Sequence, residues 1–434
     1  MDSETNTDTT RLTLGSLARV EGEGRLAFTV RHGRVEAAEL NIYEPPRFFE
    51  SFLRGRDFRE PPDITSRICG ICPVAYQVSA CNAIEQACGA HLTQPILDLR
   101  RLLYCGEWIA SHTLHIYLLH APDFLGASDA IELARIARPD VERGLTLKKA
   151  GNAILDMIGG RSIHPVNVRL GGFYRTPTPS ELAPLAEQLR WALDDALATV
   201  QWVSHFEIPD AEVDTELLAL AQPGRYAIED GVLTTTSGSS FAPEEFCDHV
   251  AERQVPHSTA LHAHLDGQAY LTGPLARYSL HSADLSETAR QAATEAGLGT
   301  VCRNPFQSIV VRAVETVFAV DEALRLIREY YRPESPYVDM SPRAATGYGV
   351  SEAPRGVLYH LYQLDSEGRI LRATIIPPTS QNQAAIENDL RNTLAANLTL
   401  TDAELTELCE RTIRNYDPCI SCATHFLDVT INRK

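Results

Sequence analysis

Ser66-Arg67-Ile68-Cys69-Gly70-Ile71-Cys72-Pro73 and Asp417-Pro418-Cys419-Ile420-Ser421-Cys422-Ala423-Thr424-His425 each carry a Cys-x-x-Cys pair. A turn of this kind lets two thiolates converge on one metal, and Gly70 allows a close backbone approach. The second cysteines of the two pairs stand 350 positions apart. Zinc ribbons place their pairs about 15 to 20 residues apart, so a local structural zinc does not account for them. If both pairs serve one centre, that centre joins distant ends of the chain inside a finished core. Alternatively, each pair is a reduced core dithiol or half of a redox switch, and spacing alone leaves these readings open.

The surrounding composition narrows the class. Across 434 residues, 39 Lys+Arg face 57 Asp+Glu, a net charge of -18. Such a field repels a phosphate backbone and argues against a nucleic-acid partner bound through net charge. Hydrophobic residues at 44% are enough for a large buried core. Met1 to Thr10 is polar and acidic, without the basic-then-apolar order of a secretory signal, and no run of about 18 apolar residues predicts a membrane span. Ten cysteines are too few for a disulfide scaffold at this length. A reducing, cytoplasmic setting is expected.

Outward from the cysteines, β-rich runs Arg25–Val30 and Val35–Tyr43 flank His32-Gly33 and predict a hairpin. Helical periodicity runs from Pro95 to Leu119, from Glu181 to Phe206 and from Ala313 to Tyr331. Thr401-Asp402-Ala403-Glu404 has the form of a capping box for a helix to about Asn415. Gly/Pro-punctuated segments and short β signals near Asp230-Gly231 and Asp365–Gly368 lie between. The expected fold class is α+β and mostly α: a long-helix core with peripheral β hairpins, without repeats or linkers, in one integrated domain over residues 1–425.

The flanks of the two cysteine pairs resemble the two signature motifs of the NiFe hydrogenase large subunit. Arg19-Val20-Glu21-Gly22 resembles the family's N-terminal motif and Arg47-Phe48-Phe49-Glu50 its next element. Gly159-Gly160-Arg161 through His164-Pro165 to Gly171-Gly172, Glu352-Ala353-Pro354-Arg355-Gly356 with His360, and Pro378-Thr379 to Asn382 resemble later blocks in the same order. Cys-Pro-Val-Ala-Tyr-Gln after Ile71 is similar to the cytoplasmic multisubunit enzymes that exchange electrons with nicotinamide cofactors, the sulfhydrogenases.

The resemblance implies a large-subunit fold that cleaves H2 reversibly at nickel and an iron carrying CO and cyanide. It makes Cys69 and Cys419 terminal ligands and Cys72 and Cys422 bridging ones. It makes Cys419 the first base and Glu21 the proton relay, and sets Arg355, with Pro354, over the cyanides. Thr379 would donate to a cyanide, a turn-forming Thr being the other reading, and Asp417 would stand beside the cysteines. Glu50 and His425 match a magnesium site. The histidines His112, His115 and His120 have no accompanying carboxylate in sequence and read better as core residues than as ligands.

Three positions depart from the family pattern: Tyr76 stands where a His is common, Ser111 where an Asp is common, and Glu85 where an Asp is found. The family loses a C-terminal extension to a maturation endopeptidase after the last motif's His, so Phe426–Lys434 is expected to be removed. Cys81, Cys88, Cys105, Cys247, Cys302 and Cys409 show no iron–sulfur spacing, and no dinucleotide fingerprint follows a strand. Electrons must therefore leave through an iron–sulfur small subunit, with flavin- and NAD(P)-binding diaphorase subunits expected beyond it. The rivals are a zinc enzyme using the same cysteines and a respiratory-complex scaffold with vestigial ones.

Overall fold

The computed structural model describes residues 4–6 and 9–424. Consecutive strands β1 (Glu4–Asn6), β2 (Thr9–Ser16), β3 (Gly24–Arg31) and β4 (Arg34–Ile42) form an antiparallel sheet. The hairpin expected at His32-Gly33 is present: Arg31 pairs with Arg34 across these two residues. Both central residues have positive φ, 49° and 70°, as a tight turn matching strand twist requires.

Helix α1 (Pro73–Cys88) follows directly on Cys72. Pro73 at its first position has no N–H to leave orphaned, and Gly89 closes it at φ 67°. Helices α2 (Gln94–Leu114), α3 (Arg138–Gly159), α4 (Pro179–Ser204) and α5 (Ser308–Glu329) pack together as the helical body. The periodic run expected to Leu119 leaves α-geometry at Leu114 and passes into a wider π-turn at His115–His120. Helix α4 starts from a Thr178/Glu181 capping box, two residues earlier than its periodicity indicates. Helix α5 begins at Ser308, more than one turn ahead of the expected start. No described helix is long and apolar enough to cross a membrane.

Strands β5 (Val250–Gln254) and β6 (Leu261–Leu265) form a separate hairpin. Strands β7 (Ala345–Ala353), β8 (Gly356–Leu364) and β9 (Ile370–Ile376) form an antiparallel meander. Helix α1 lies on β7 at backbone contact, since side chains at Gly347 and Gly349 would strike Ala83 and Ser79 carbonyls. Helix α6 (Pro378–Ala396) follows the meander, and α7 (Asp402–Arg414) starts from the expected Thr401/Glu404 box and delivers the chain to Asp417. The main core draws on residues from Leu17 to Ala423, and a smaller one lies under the meander. The fold is α+β and mostly helical, as expected.

The histidines of α2 and the π-turn are core residues. His115 Nε2 meets the Arg414 carbonyl at 2.8 Å and His120 Nε2 meets Asn415 Oδ1 at 3.0 Å. A carboxylate does accompany the set, contrary to the sequence reading, because α5 brings Glu315 Oε2 within 3.0 Å of His112 Nε2. Burial lowers the pKa of all three, which keeps them neutral braces between α2, α5 and the C-terminal turn.

Candidate metal centre

Four thiols from the two Cys-x-x-Cys turns meet at one buried point. Cys69 Sγ lies 3.5 Å from Cys419 Sγ, Cys72 Sγ lies 4.0 Å from Cys422 Sγ, and Cys419 and Cys422 are 2.7 Å apart. All four sulfurs fall within 4.8 Å of one another, and none is exposed beyond 4%. Thiolates bound at about 2.3 Å around a tetrahedral metal stand about 3.7 Å apart, so the 3.5 and 4.0 Å pairs fit a shared cation, while Cys419 and Cys422 would open by about 1 Å to join it.

Local backbone prepares the thiolates. Cys69 Sγ accepts the N–H groups of Ile71 and Cys72 at 3.3 and 3.2 Å. Cys72 is the N-cap of α1 and sits at the positive end of that helix. Burial pushes Cys69 up, yet hydrogen bonds from Cys419, Cys422 and Cys72 outweigh it and hold this thiol well below its ordinary range. Burial and the neighbouring sulfurs push Cys419 up, and burial outweighs the Cys419 and Cys72 hydrogen bonds to push Cys422 up as well. Packed thiols of this kind shed their remaining protons only to cations.

Three distant segments seat the second pair. Glu21 and Cys419 form a parallel β-bridge, in which Ile420 N–H donates to the Glu21 carbonyl at 3.0 Å. Ser421 N–H donates to Glu21 Oε2 at 3.1 Å, and Ser421 Oγ donates to Glu44 Oε1 at 3.2 Å. The Arg47 guanidinium donates to the carbonyls of both Ile68 and Ser421, linking the two turns. Cys419 N–H donates to Thr379 Oγ1 at 3.0 Å, which leaves the Thr379 hydroxyl proton free to donate elsewhere. Thr379 stands in the first turn of the 19-residue helix α6, so the turn reading gives way.

Arg355 occupies the tip of the β7–β8 hairpin, where Ala353 pairs with Gly356 and leaves Pro354-Arg355 as a two-residue turn. Its side chain is only 2% exposed. Nε donates to the Asp417 carbonyl at 2.8 Å and Nη2 to Asp417 Oδ1 at 3.0 Å. Nη1 is buried with no partner among the described residues, a donor that a bound anionic group would satisfy. Arg277 braces the hairpin from behind, donating to the Ala353 and Pro354 carbonyls and pairing with Glu315 and Glu352.

Glu107, which sequence reasoning passed over, accepts Val74 and Ala75 N–H at 2.6 and 3.1 Å and closes the floor beneath Cys72. Its signal was a lone acid on an apolar helix face. The three departures are all buried. Glu85 pairs bidentately with Arg100 and accepts Gly171 N–H, Tyr76 packs 5.7 Å from the His360 ring, and Ser111 is 1% exposed. Glu50 is buried, accepts Ile375 N–H at 2.6 Å, and is pushed up to about 8 chiefly by burial, with Glu252 adding repulsion. His425 and Phe426–Lys434 lie outside the described residues.

The profile of the nickel-dependent hydrogenase family matches residues 47–144 and 257–425. Sulfhydrogenase 1 subunit alpha of Pyrococcus furiosus is 33% identical over 95% of this chain and 97% of its own length. Sulfhydrogenase 2 subunit alpha of the same organism is also 33% identical, over 95% and 98%. Among solved structures, an NAD+-reducing [NiFe]-hydrogenase in the H2-reduced state superposes with a TM-score of 0.85 at 26% identity, covering 96% of this chain and all of that one.

Proposed function

Because the chain belongs to the nickel-dependent hydrogenase family as a catalytic large subunit, we propose that it cleaves H2 heterolytically and reversibly at a nickel–iron centre held by Cys69, Cys72, Cys419 and Cys422. The carrying observation is the meeting of these four buried sulfurs within 4.8 Å. The donor set is soft and suits nickel and iron. When bound, the metal pair with its CO and cyanide ligands supplies Lewis acidity to polarise a very weakly acidic substrate.

The protein's own work is proton handling and positioning. Cys419 takes the first proton at Sγ. Its backbone is paired with that of Glu21 through a β-bridge, which supports Glu21 as the relay carboxylate. Glu21 is half-buried, and Ser421 and Glu44 continue the polar line outward. Arg355 Nη1 and the Thr379 hydroxyl supply donors for cyanide nitrogens, while Asp417 fixes the guanidinium plane and Pro354 shapes the hairpin tip. Cys72 and Cys422 would hold both metals, and Cys69 and Cys419 would hold nickel alone. Glu50, with His425, holds magnesium.

Residues 1–425 act as one unit, and a maturation endopeptidase removes 426–434. Electrons pass to an iron–sulfur small subunit and on to NAD(P) through diaphorase subunits in the cytoplasm. The alpha-subunit names of the relatives and the NAD+-reducing structural neighbour support that chain of partners. Infrared spectra of the purified complex test the reading: metal-bound CO and cyanide bands are expected, with nickel found in the same preparation by metal analysis. Zinc alone in the site, without those bands, would overturn it.

A further inference from the structure

A second cluster of metal-binding side chains lies outside the thiolate centre. His257, His262 and Glu387 each offer a ligand atom, and the three atoms lie within 4.8 Å of one another. His257 belongs to the turn between β5 and β6, His262 to β6, and Glu387 to the middle of α6. His257 Nε2 is 2.8 Å from Glu387 Oε1, an oxygen that also accepts Leu40 N–H at 2.9 Å. No hydrogen bond reaches Glu387 Oε2 among the described residues. His262 is 3% exposed, and its Nε2 is buried with no partner among the described residues.

A buried imidazole nitrogen without a partner is costly unless something binds it. Burial, with His257 and His264 nearby, pushes His262 down to about 4, so at neutral pH its ring offers a lone pair. Among the described residues the carboxylate opposite has no guanidinium or ammonium to balance its charge: His257 is its only side-chain partner there, and Glu39 repels it. Side-chain exposures of 19% for His257 and 12% for Glu387 leave an entry path.

We propose that His257, His262 and Glu387 form a metal site that takes a borderline divalent ion, Zn2+ in preference to Mg2+ or Ca2+. Two imidazoles and one carboxylate are a nitrogen-rich set, whereas the hard cations select oxygen alone. Zinc bonds of about 2.0 to 2.2 Å put neighbouring ligand atoms about 3.3 Å apart. Small side-chain rotations from the present spacing reach that value. The bound ion clips the β5–β6 hairpin to α6 and, through Leu40, to β4. Glu387 is eight residues along α6 from Thr379, about 12 Å at the helical rise. The clip therefore steadies the helix whose first turn holds Cys419. The site does not depend on the reading of the thiolate centre.

The test uses the loaded holoenzyme complex, whose thiolates are already engaged, washed with chelator and titrated with Zn2+ against a chromophoric competitor. One equivalent per chain is expected. A His257→Ala/His262→Ala variant should bind it at least about 100-fold more weakly, since loss of mere supporting groups costs up to that much at metal sites. Glu387→Gln keeps the Leu40 acceptor and the side-chain volume, so it guards against misfolding. Zn2+ should raise the unfolding temperature of the wild type and not of Glu387→Gln. Co2+ in place of Zn2+ should give visible d–d bands without sulfur charge-transfer bands. No bound equivalent in the wild type, equal binding by both variants, or sulfur charge-transfer bands would each overturn the site.

Discussion

The guanidinium of Arg355 grips Asp417 twice, through the backbone carbonyl at 2.8 Å and the carboxylate at 3.0 Å, with both side chains at most 3% exposed. Asp417 holds a left-handed backbone at φ 50° just before Cys419. One arginine thus fixes the approach to the second cysteine pair and keeps a third donor, Nη1, for the centre. Arg355→Lys retains the charge and loses the fork. Hydrogen oxidation should fall about 100-fold while nickel and iron content stays near wild type, as removal of one preorganised donor does elsewhere. Activity and metal assays on the same preparation check this.

Glu21→Gln keeps an acceptor for Ser421 N–H but cannot carry a proton. Turnover should drop by about 10²- to 10⁴-fold with the metals retained, the usual span for losing a positioned acid–base group. Isotope exchange between D2 and water, followed by mass spectrometry, would show normal rates if Glu21 were only a structural partner.

Thr379→Val removes the only hydroxyl that receives the Cys419 N–H. The orphaned buried donor should cost about 1 to 3 kcal/mol. Denaturant unfolding of the metal-free chain should show the loss, and Thr379→Ser should restore it.

Glu85 and Arg100 are a buried bidentate pair with both N–O distances at 2.6 Å. Glu85→Gln strands the guanidinium and should destabilise the chain by about 3 to 5 kcal/mol. An unchanged denaturation midpoint would refute that role.

Asp389 accepts the Tyr416 hydroxyl at 2.8 Å, yet burial pushes its carboxyl up to about 6 from 3.8. The folded chain therefore holds this proton more tightly than the unfolded one. The resulting stabilisation, on the order of 3 kcal/mol, is fully present below the unfolded pKa and is lost as pH rises through about 6. Asp389→Asn should flatten the stability slope between about pH 4 and 6, read by urea unfolding at several pH values.

Much of the centre was legible because its chemistry is written in short local patterns. Both Cys-x-x-Cys turns, the His32-Gly33 hairpin and the Thr401 cap occupy their expected places. Helices α1 and α6 were not legible. Ala75, Ser79, Ala80 and Ala83 of α1 are buried, and small residues on every side leave no apolar stripe to detect. Thr379, Ser380, Gln381, Asn382 and Gln383 of α6 are polar and buried, and the first four bond partners remote in sequence such as Cys419, Glu252, Val357 and Thr272. The His257–Glu387 pair, 130 positions apart, could not be seen before folding.

The bond from Ser421 to Glu21 spans 400 residues. During synthesis the β2–β3 connection carrying Glu21 emerges long before its partner exists, and no nascent intermediate holds a finished cradle. A four-sulfur cradle in this protein therefore exists only after residue 422 has been made, with Cys69 and Cys72 waiting for that closing segment to arrive.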